Sequence, residues 1–233
     1  MKLPPKIEGD WDDIPKPGIN YCTSLNMKMD IRKQKKAVGG YYASVAFVDA
    51  QVGKVMAALK ASGQEDNTIV IFTSDHGFHL GEHDFWAKVS LLDESSQVPL
   101  IISVPGKQPA VCHSLTELLD LYPTLAALCG LPAQPRLQGK DISRMLDDPA
   151  HTVRTAAFSV APMRKGFLLR EDDWAFIQYG EQGQNGMELF HIKTDPHQYT
   201  NLAEKPVHAR IVDRFRKQMT AKLAAVRNND LNK

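Results

Sequence analysis

An aspartate, a histidine and a glycine occupy positions 75 to 77, directly after the apolar run Ile69-Val70-Ile71-Phe72. That run is rich in β-branched and aromatic residues and bounded by polar ones, the pattern of a strand buried on both faces of a parallel sheet. Open α/β sheets bind ligands beyond the carboxyl ends of their strands, so Asp75 and His76 stand where a site is expected. Gly77 lets the backbone turn tightly there. Asp75 also has a plainer reading, as the N-cap of a following helix. The continuation Phe78-His79-Leu80-Gly81-Glu82-His83 adds two imidazoles and a carboxylate, for which satisfied structural side chains are the simpler reading. A basic cluster, Lys28, Arg32, Lys33, Lys35 and Lys36, reads as a solvated face, with contact to an anionic substrate as the sharper alternative.

Placing such residues takes a sizeable core. The 233 residues suffice for one large domain, or one domain with a smaller companion. With 43% hydrophobic and 24% charged residues the composition is that of an ordinary globular protein. The net charge of +1 gives no reason to expect nucleic acid as a partner. No apolar run approaches the roughly 20 residues of a membrane span. The start, Met1 to Lys6, lacks the apolar stretch of a secretory signal. Cys22, Cys112 and Cys129 are odd in number and far apart, and read as buried structural thiols.

Residues 1–40 look like an irregular lead-in broken by Pro4, Pro5, Pro15 and Pro17. Tyr41, Val45, Val48, Val52, Val55 and Leu59 then recur at helical spacing, predicting a helix of about five turns that ends near Gly63. That helix and the strand at Ile69 form the αβ half of a parallel-sheet unit. A second buried strand is expected within Val98 to Val104, and a helix within Leu115 to Leu128 with Asp120 as its cap. A short helical piece follows near Ile142 to Leu146. From Thr155 onward, strand candidates at Ala156 to Val160, Gly166 to Arg170, Trp174 to Tyr179 and Met187 to Ile192 suggest a small antiparallel sheet. An amphipathic helix carrying Ile211, Phe215, Met219, Leu223 and Val226 on one face closes the chain.

Several separate motifs, in order, resemble the sulfatases. They are Tyr42-Ala43-Ser44-Val45-Ala46-Phe47-Val48-Asp49, Ser74-Asp75-His76-Gly77 with Leu80-Gly81-Glu82-His83, Trp86-Ala87-Lys88, Val98-Pro99-Leu100-Ile101 and Pro105-Gly106. Asp120-Leu121-Tyr122-Pro123, Glu188-Leu189-Phe190, Asp195-Pro196 and Thr200-Asn201-Leu202-Ala203 extend the likeness, whose flavour is that of the iduronate-2-sulfatase branch. The resemblance implies an α/β fold. Residues 41–150 would form the C-terminal part of an alkaline-phosphatase-like sheet, and residues 151–233 a small antiparallel α+β subdomain. It further implies hydrolysis of sulfate esters of sulfated sugars, a calcium ion bound by Asp75 and His76, and a sulfate oxygen bound by Lys88. Of the two calcium ligands the carboxylate suits a hard cation better than the imidazole. Lys88, without the resemblance, is a surface lysine.

One departure from the family pattern is sharp. Sulfatases convert a cysteine or serine of a C-x-P-S-R motif to formylglycine, whose hydrate is the nucleophile. Here Cys22 is followed by Thr23-Ser24-Leu25, Cys112 by His113-Ser114-Leu115 and Cys129 by Gly130-Leu131-Pro132. The nucleophile, the family's acidic pair of calcium ligands and the remaining basic pocket residues are therefore expected on an amino-terminal half, as a partner of this chain. Alone, the chain is expected to be inactive. A full-length protein following the family would be exported, periplasmic or lysosomal. Two alternatives remain open: a phosphoesterase of the same superfamily, and a non-catalytic module that binds sulfated glycans.

Overall fold

Asp30 sets the start of the first helix. Its carboxylate accepts the Lys33 backbone N–H at 2.7 Å, satisfying a donor that the first helical turn leaves open, and α1 runs from Ile31 to Ala61. The helix ends at Ser62, and Gly63 takes the left-handed turn beyond it at φ +69°. The computed structural model that shows this describes residues 1–161 and 166–227. The lead-in thus becomes helical ten residues before Tyr41. Apolar periodicity marked only the later part, whereas residues 32–37 are Arg, Lys, Gln and Ala, good helix formers with little apolar signal. Arg32, Lys33, Lys35 and Lys36 are all exposed, as a solvated face requires.

The chain forms two compact units. The first comprises Met1–Glu8, Asn20–Val89 and Asp93–Lys107; the second comprises Gly9–Ile19, Ser90–Leu92 and Gln108–Lys233. The longest stretch of the second unit begins at Gln108.

In the first unit β1 (Val70–Thr73) pairs with β4 (Leu100–Ser103), so the two expected strands do share a sheet. Their direction differs from the expectation: the pairing is antiparallel, with Val70 opposite Ser103 and Thr73 opposite Leu100. A parallel return needs a crossover of about a dozen residues or more, usually a helix. The passage between these strands instead holds the small pair β2 (His79–Leu80) and β3 (Trp86–Ala87) and the single-turn α2 (Asp93–Ser96). The strands are also not buried on both faces. Phe72 and its register partner Ile101 are 43% and 60% exposed on one side. The apolar stripe of α1 is likewise open, with Val45, Val48 and Val55 more than half exposed. These segments carry the sequence of buried elements, yet among the described residues little packs on their apolar sides.

The second unit has its own core. Strands β5 (Ala157–Ala161), β6 (Gly166–Arg170), β7 (Trp174–Tyr179) and β8 (Met187–His191) form an antiparallel sheet in the order β5-β6-β7-β8. The closing helix, labelled α4 (Ala209–Arg227), lays Val212, Phe215, Met219 and Leu223 against Leu169, Phe176 and Leu189. Phe176 and Phe215 stack with ring centroids 5.3 Å apart. Before the sheet, α3 (Leu121–Leu128) follows Asp120, which serves less as a cap than as a hub. The Asp120 carboxylate takes both Nη atoms of Arg154 and the backbone N–H groups of Glu117 and Lys140. Cys112 and Cys129 are exposed and Cys22 is half-buried, all three as free thiols, so the expectation of buried thiols fails. Cys129 sits at the exposed C-terminal end of α3, where the local turn and not a core decides its environment. No helix among the described residues is long and apolar enough to cross a membrane.

Candidate functional site

Strand β1 ends at Thr73, and the next four residues form a turn locked by its own polar groups. The Ser74 hydroxyl donates to the His76 carbonyl at 2.9 Å, and the Gly77 N–H donates to the Ser95 carbonyl at 2.9 Å. A Cβ on Gly77 would lie 2.0 Å from the Glu94 carbonyl oxygen, so only glycine fits. This close approach presses the turn onto the backbone of α2. It leaves the Asp75 side chain 82% exposed and the His76 side chain one-third exposed.

Lys88 meets this turn from twelve residues further on. Its Nζ lies 2.8 Å from Nε2 of His76, while Nδ1 of His76 lies 2.8 Å from the Gly77 carbonyl. A carbonyl can only accept, so Nδ1 carries the imidazole proton; an ammonium can only donate, so Nε2 presents a lone pair. Oδ2 of Asp75 lies 3.4 Å from the same Nε2. Two lone-pair atoms thus converge beside one fixed cation. Lys88, twelve residues on in sequence, is brought to Asp75 and His76.

The segment that returns Lys88 is held in an unusual backbone. His83, Asp84 and Ala87 all have positive φ, at 56°, 54° and 71°, though none is glycine. Such conformations persist only where surroundings impose them, and they gather at functional sites. Those surroundings are dense. Phe85 is fully buried, the Trp86 N–H donates to the Cys22 carbonyl at 2.7 Å, and Ser24 donates to Asp84 at 2.7 Å. Glu82 accepts the Leu80 N–H at 2.6 Å. His79 and His83 are buried, each 5.7 Å from the Phe85 ring. Burial, then the neighbouring His83, pushes the His79 imidazole down to about 3. Burial pushes the Glu94 carboxyl up, against the pull of its backbone hydrogen bond and of His83. Ser95, buried, donates from its hydroxyl to the Lys88 carbonyl at 3.0 Å. The polar run containing Ser95 gave no periodic or motif signal for this contact in the sequence.

A cavity of about 1140 Å³ lies in the second unit, lined by His113, Arg154, Glu171, Trp174 and Arg214 among others. It includes none of the three site residues. Its arginines are already paired, Arg154 with Asp120 and Arg214 with Glu171, so the chemistry points to the β1 turn instead.

The α/β chain thus gathers an acid, an imidazole and a lysine beyond the carboxyl end of β1. The chain belongs to the sulfatase family. The Sulfatase family model matches residues 13–131, and the model of the N-sulphoglucosamine sulphohydrolase C-terminal region matches residues 81–225. A sulfatase of Formosa agariphila is 32% identical over 213 residues, covering 87% of this chain and 40% of the relative. Iduronate 2-sulfatase of Mus musculus is 37% identical over 165 residues, covering 58% and 30%. Among solved structures, a 2-O GAG sulfatase superposes with TM-score 0.83 at 24% identity over 98% of this chain and 53% of that one. The phosphonate monoester hydrolase of Silicibacter pomeroyi gives TM-score 0.84 at 24% identity over 99% and 51%. These structural likenesses define the alkaline-phosphatase-like fold. The chain spans about half the length of these solved structures and 40% or less of the two sequence relatives.

The family implies calcium, and the donor set can be tested against it. The exposed Asp75 carboxylate offers the hard oxygen that calcium prefers, and Nε2 of His76 presents its lone pair toward the same point. These two donors fit a shared cation with the Lys88 ammonium moved off Nε2, whose single lone pair it occupies here. Among the described residues no group of three or more His, Cys, Asp or Glu side chains gathers at metal-binding distance.

Proposed function

We propose that this chain is the carboxy-terminal part of a sulfatase that hydrolyses sulfate esters, the class of substrate being sulfated sugars. The observation carrying this reading is the convergence of Asp75, His76 and Lys88 on one point beyond β1. Asp75 and His76 would hold calcium, which when bound neutralises charge on the sulfate group. The Nδ1 proton of His76, given to the Gly77 carbonyl, leaves Nε2 unprotonated, and it would coordinate calcium once the Lys88 ammonium turns away from it. The Lys88 ammonium, which donates to Nε2 of His76 here, would turn its protons to a sulfate oxygen when calcium takes Nε2. Placed there, it opposes the negative charge that builds on that oxygen as the ester bond breaks. The formylglycine nucleophile and the remaining calcium ligands would come from an amino-terminal portion of the enzyme. A sulfated-sugar substrate is supported by the structural likeness to a 2-O GAG sulfatase.

The test pairs this chain with an amino-terminal sulfatase portion carrying a matured C-x-P-S-R cysteine. Turnover of an aryl sulfate ester, with calcium, is expected from the pair and not from this chain alone. In the pair, Lys88→Ala should lower kcat about 10²- to 10³-fold, as removing one donor from developing charge does elsewhere. Turnover by the isolated chain, or an unchanged kcat in the Lys88 variant, would overturn the assignment. A second reading, phosphonate or phosphate ester hydrolysis, draws on the likeness to the Silicibacter pomeroyi hydrolase. Assaying a phosphonate monoester beside the aryl sulfate separates the two.

A further inference from the structure

We infer that Ser95 is a positioning residue that sets the distance between Lys88 and the Asp75-His76 pair. The inference rests on the function proposed above and concerns how its site is held together. Lys88 and Gly77 lie at opposite ends of the β2-β3 hairpin, and Ser95 bonds to both. Its carbonyl accepts the Gly77 N–H at 2.9 Å, and its hydroxyl donates to the Lys88 carbonyl at 3.0 Å. Ser95 is 5% exposed, so water does not readily replace either bond. The turn cannot drift toward α2 either, because Gly77 already lies too close to the Glu94 carbonyl to tolerate a Cβ.

Lys88 needs such a tie. It follows Ala87 at φ +71°, downstream of His83 and Asp84 with positive φ as well. A non-glycine backbone in this region relaxes toward negative φ when its neighbours release it. That relaxation would swing the Lys88 side chain off Nε2 of His76. The Ser95 hydroxyl, bonded to the carbonyl one residue past Ala87, opposes it. The side chain touches neither the proposed cation nor the ester; it acts through Lys88.

The experiment uses the full chain with ¹⁵N-labelled histidine and reads the ring nitrogens of His76 by NMR at one fixed pH. The parent should show the Nδ1-protonated tautomer. Ser95→Ala should shift His76 toward a tautomer mixture while His191 and the melting temperature stay near parent values. Ser95→Thr, which keeps the hydroxyl, should restore the parent spectrum. If Ser95→Ala does not fold, Ser95→Cys, of similar volume and poorer donor strength, is read in the same way. A His76 spectrum unchanged in the folded alanine or cysteine variant would overturn the inference, as would a threonine variant that behaves like alanine. With the amino-terminal portion supplied, Ser95→Ala should lower kcat roughly 10- to 100-fold, as misplacing a reacting group does, with KM changed less than about twofold. A large KM change with kcat intact would also overturn it. If the pair hydrolyses phosphonates and not sulfates, the sulfatase reading fails while the NMR result still decides the role of Ser95.

Discussion

His79 carries the clearest titration signature in the chain. It is fully buried on β2 against Phe85, and its imidazole is pushed down to about 3, first by burial and then by His83. In the unfolded chain the same group protonates near 6.5. Between those values the unfolded state binds a proton that the native state does not. Stability therefore rises with pH through this window and falls as pH drops below 6.5, by up to about 1.4 kcal/mol per pH unit. His79→Leu removes the titrating group. Urea unfolding at pH 6.5 and 4.5 should show the parent losing about 2–3 kcal/mol more than this variant. Equal losses would show that His79 is protonated in the native state. His76, by contrast, is partly exposed and holds its tautomer through two directional contacts and not through burial. Two histidines three positions apart thus serve different ends, one as packing and one as a candidate ligand.

At the level of elements, the second unit depends on a buried ion cluster that joins α3 to the loop before β5. Arg154 is 7% exposed in its side chain and Asp120 is fully buried, with Glu117 3.5 Å from Nε of the same arginine. Burial raises the Asp120 carboxyl, but Arg154 and the N–H groups of Lys140 and Glu117 outweigh it, so the group stays below the usual carboxylate range. Its contribution to stability is present above the ordinary carboxylate value and is lost as pH falls through the lowered one. Arg154→Ala leaves the buried Asp120 carboxylate without its cation, while Glu117 keeps Lys222 at 3.8 Å, and should cost about 3–5 kcal/mol in chemical unfolding. Arg154→Ala together with Asp120→Ala should lose less than the two separate costs added, because one buried charge no longer lacks a partner. Additive losses would mean that the pair does not act as a unit.

For the molecule as a whole, the open apolar side of α1 is the feature that most affects behaviour in solution. Tyr42, Val45, Phe47, Val48 and Val55 are each more than half exposed, and β1 and β4 form a sheet of only two strands, so each keeps an edge. Exposed apolar faces and unpaired strand edges promote association. The isolated chain should self-associate at micromolar concentration in sedimentation velocity runs. Val48→Lys with Val55→Lys should shift it toward monomer without lowering the melting temperature, since neither residue is buried. Under the proposed function, the amino-terminal portion covers this face, so adding it should suppress self-association of the parent chain. A monomeric parent would count against this account of the face.

Much of the second unit was legible in the sequence. The limits of β6 and β7 follow from short apolar runs closed by turn residues, and α4 follows from its single apolar face; both signals are local, arising within a few residues. The placement of Asp75, His76 and Gly77 at the end of β1 was local in the same sense. Strand direction was not, because Val70 to Thr73 reads alike in parallel and antiparallel sheets and only the returning chain decides between them. The early start of α1 rested on the Asp30 cap, which apolar periodicity does not register. The pairing of Lys88 with His76, and the Ser95 bonds across the hairpin, join residues whose sequence spacing follows no helical or strand period. Exposure of the α1 stripe was illegible for the same physical reason. An apolar pattern states that a face can be buried, and only tertiary contacts determine whether anything buries it.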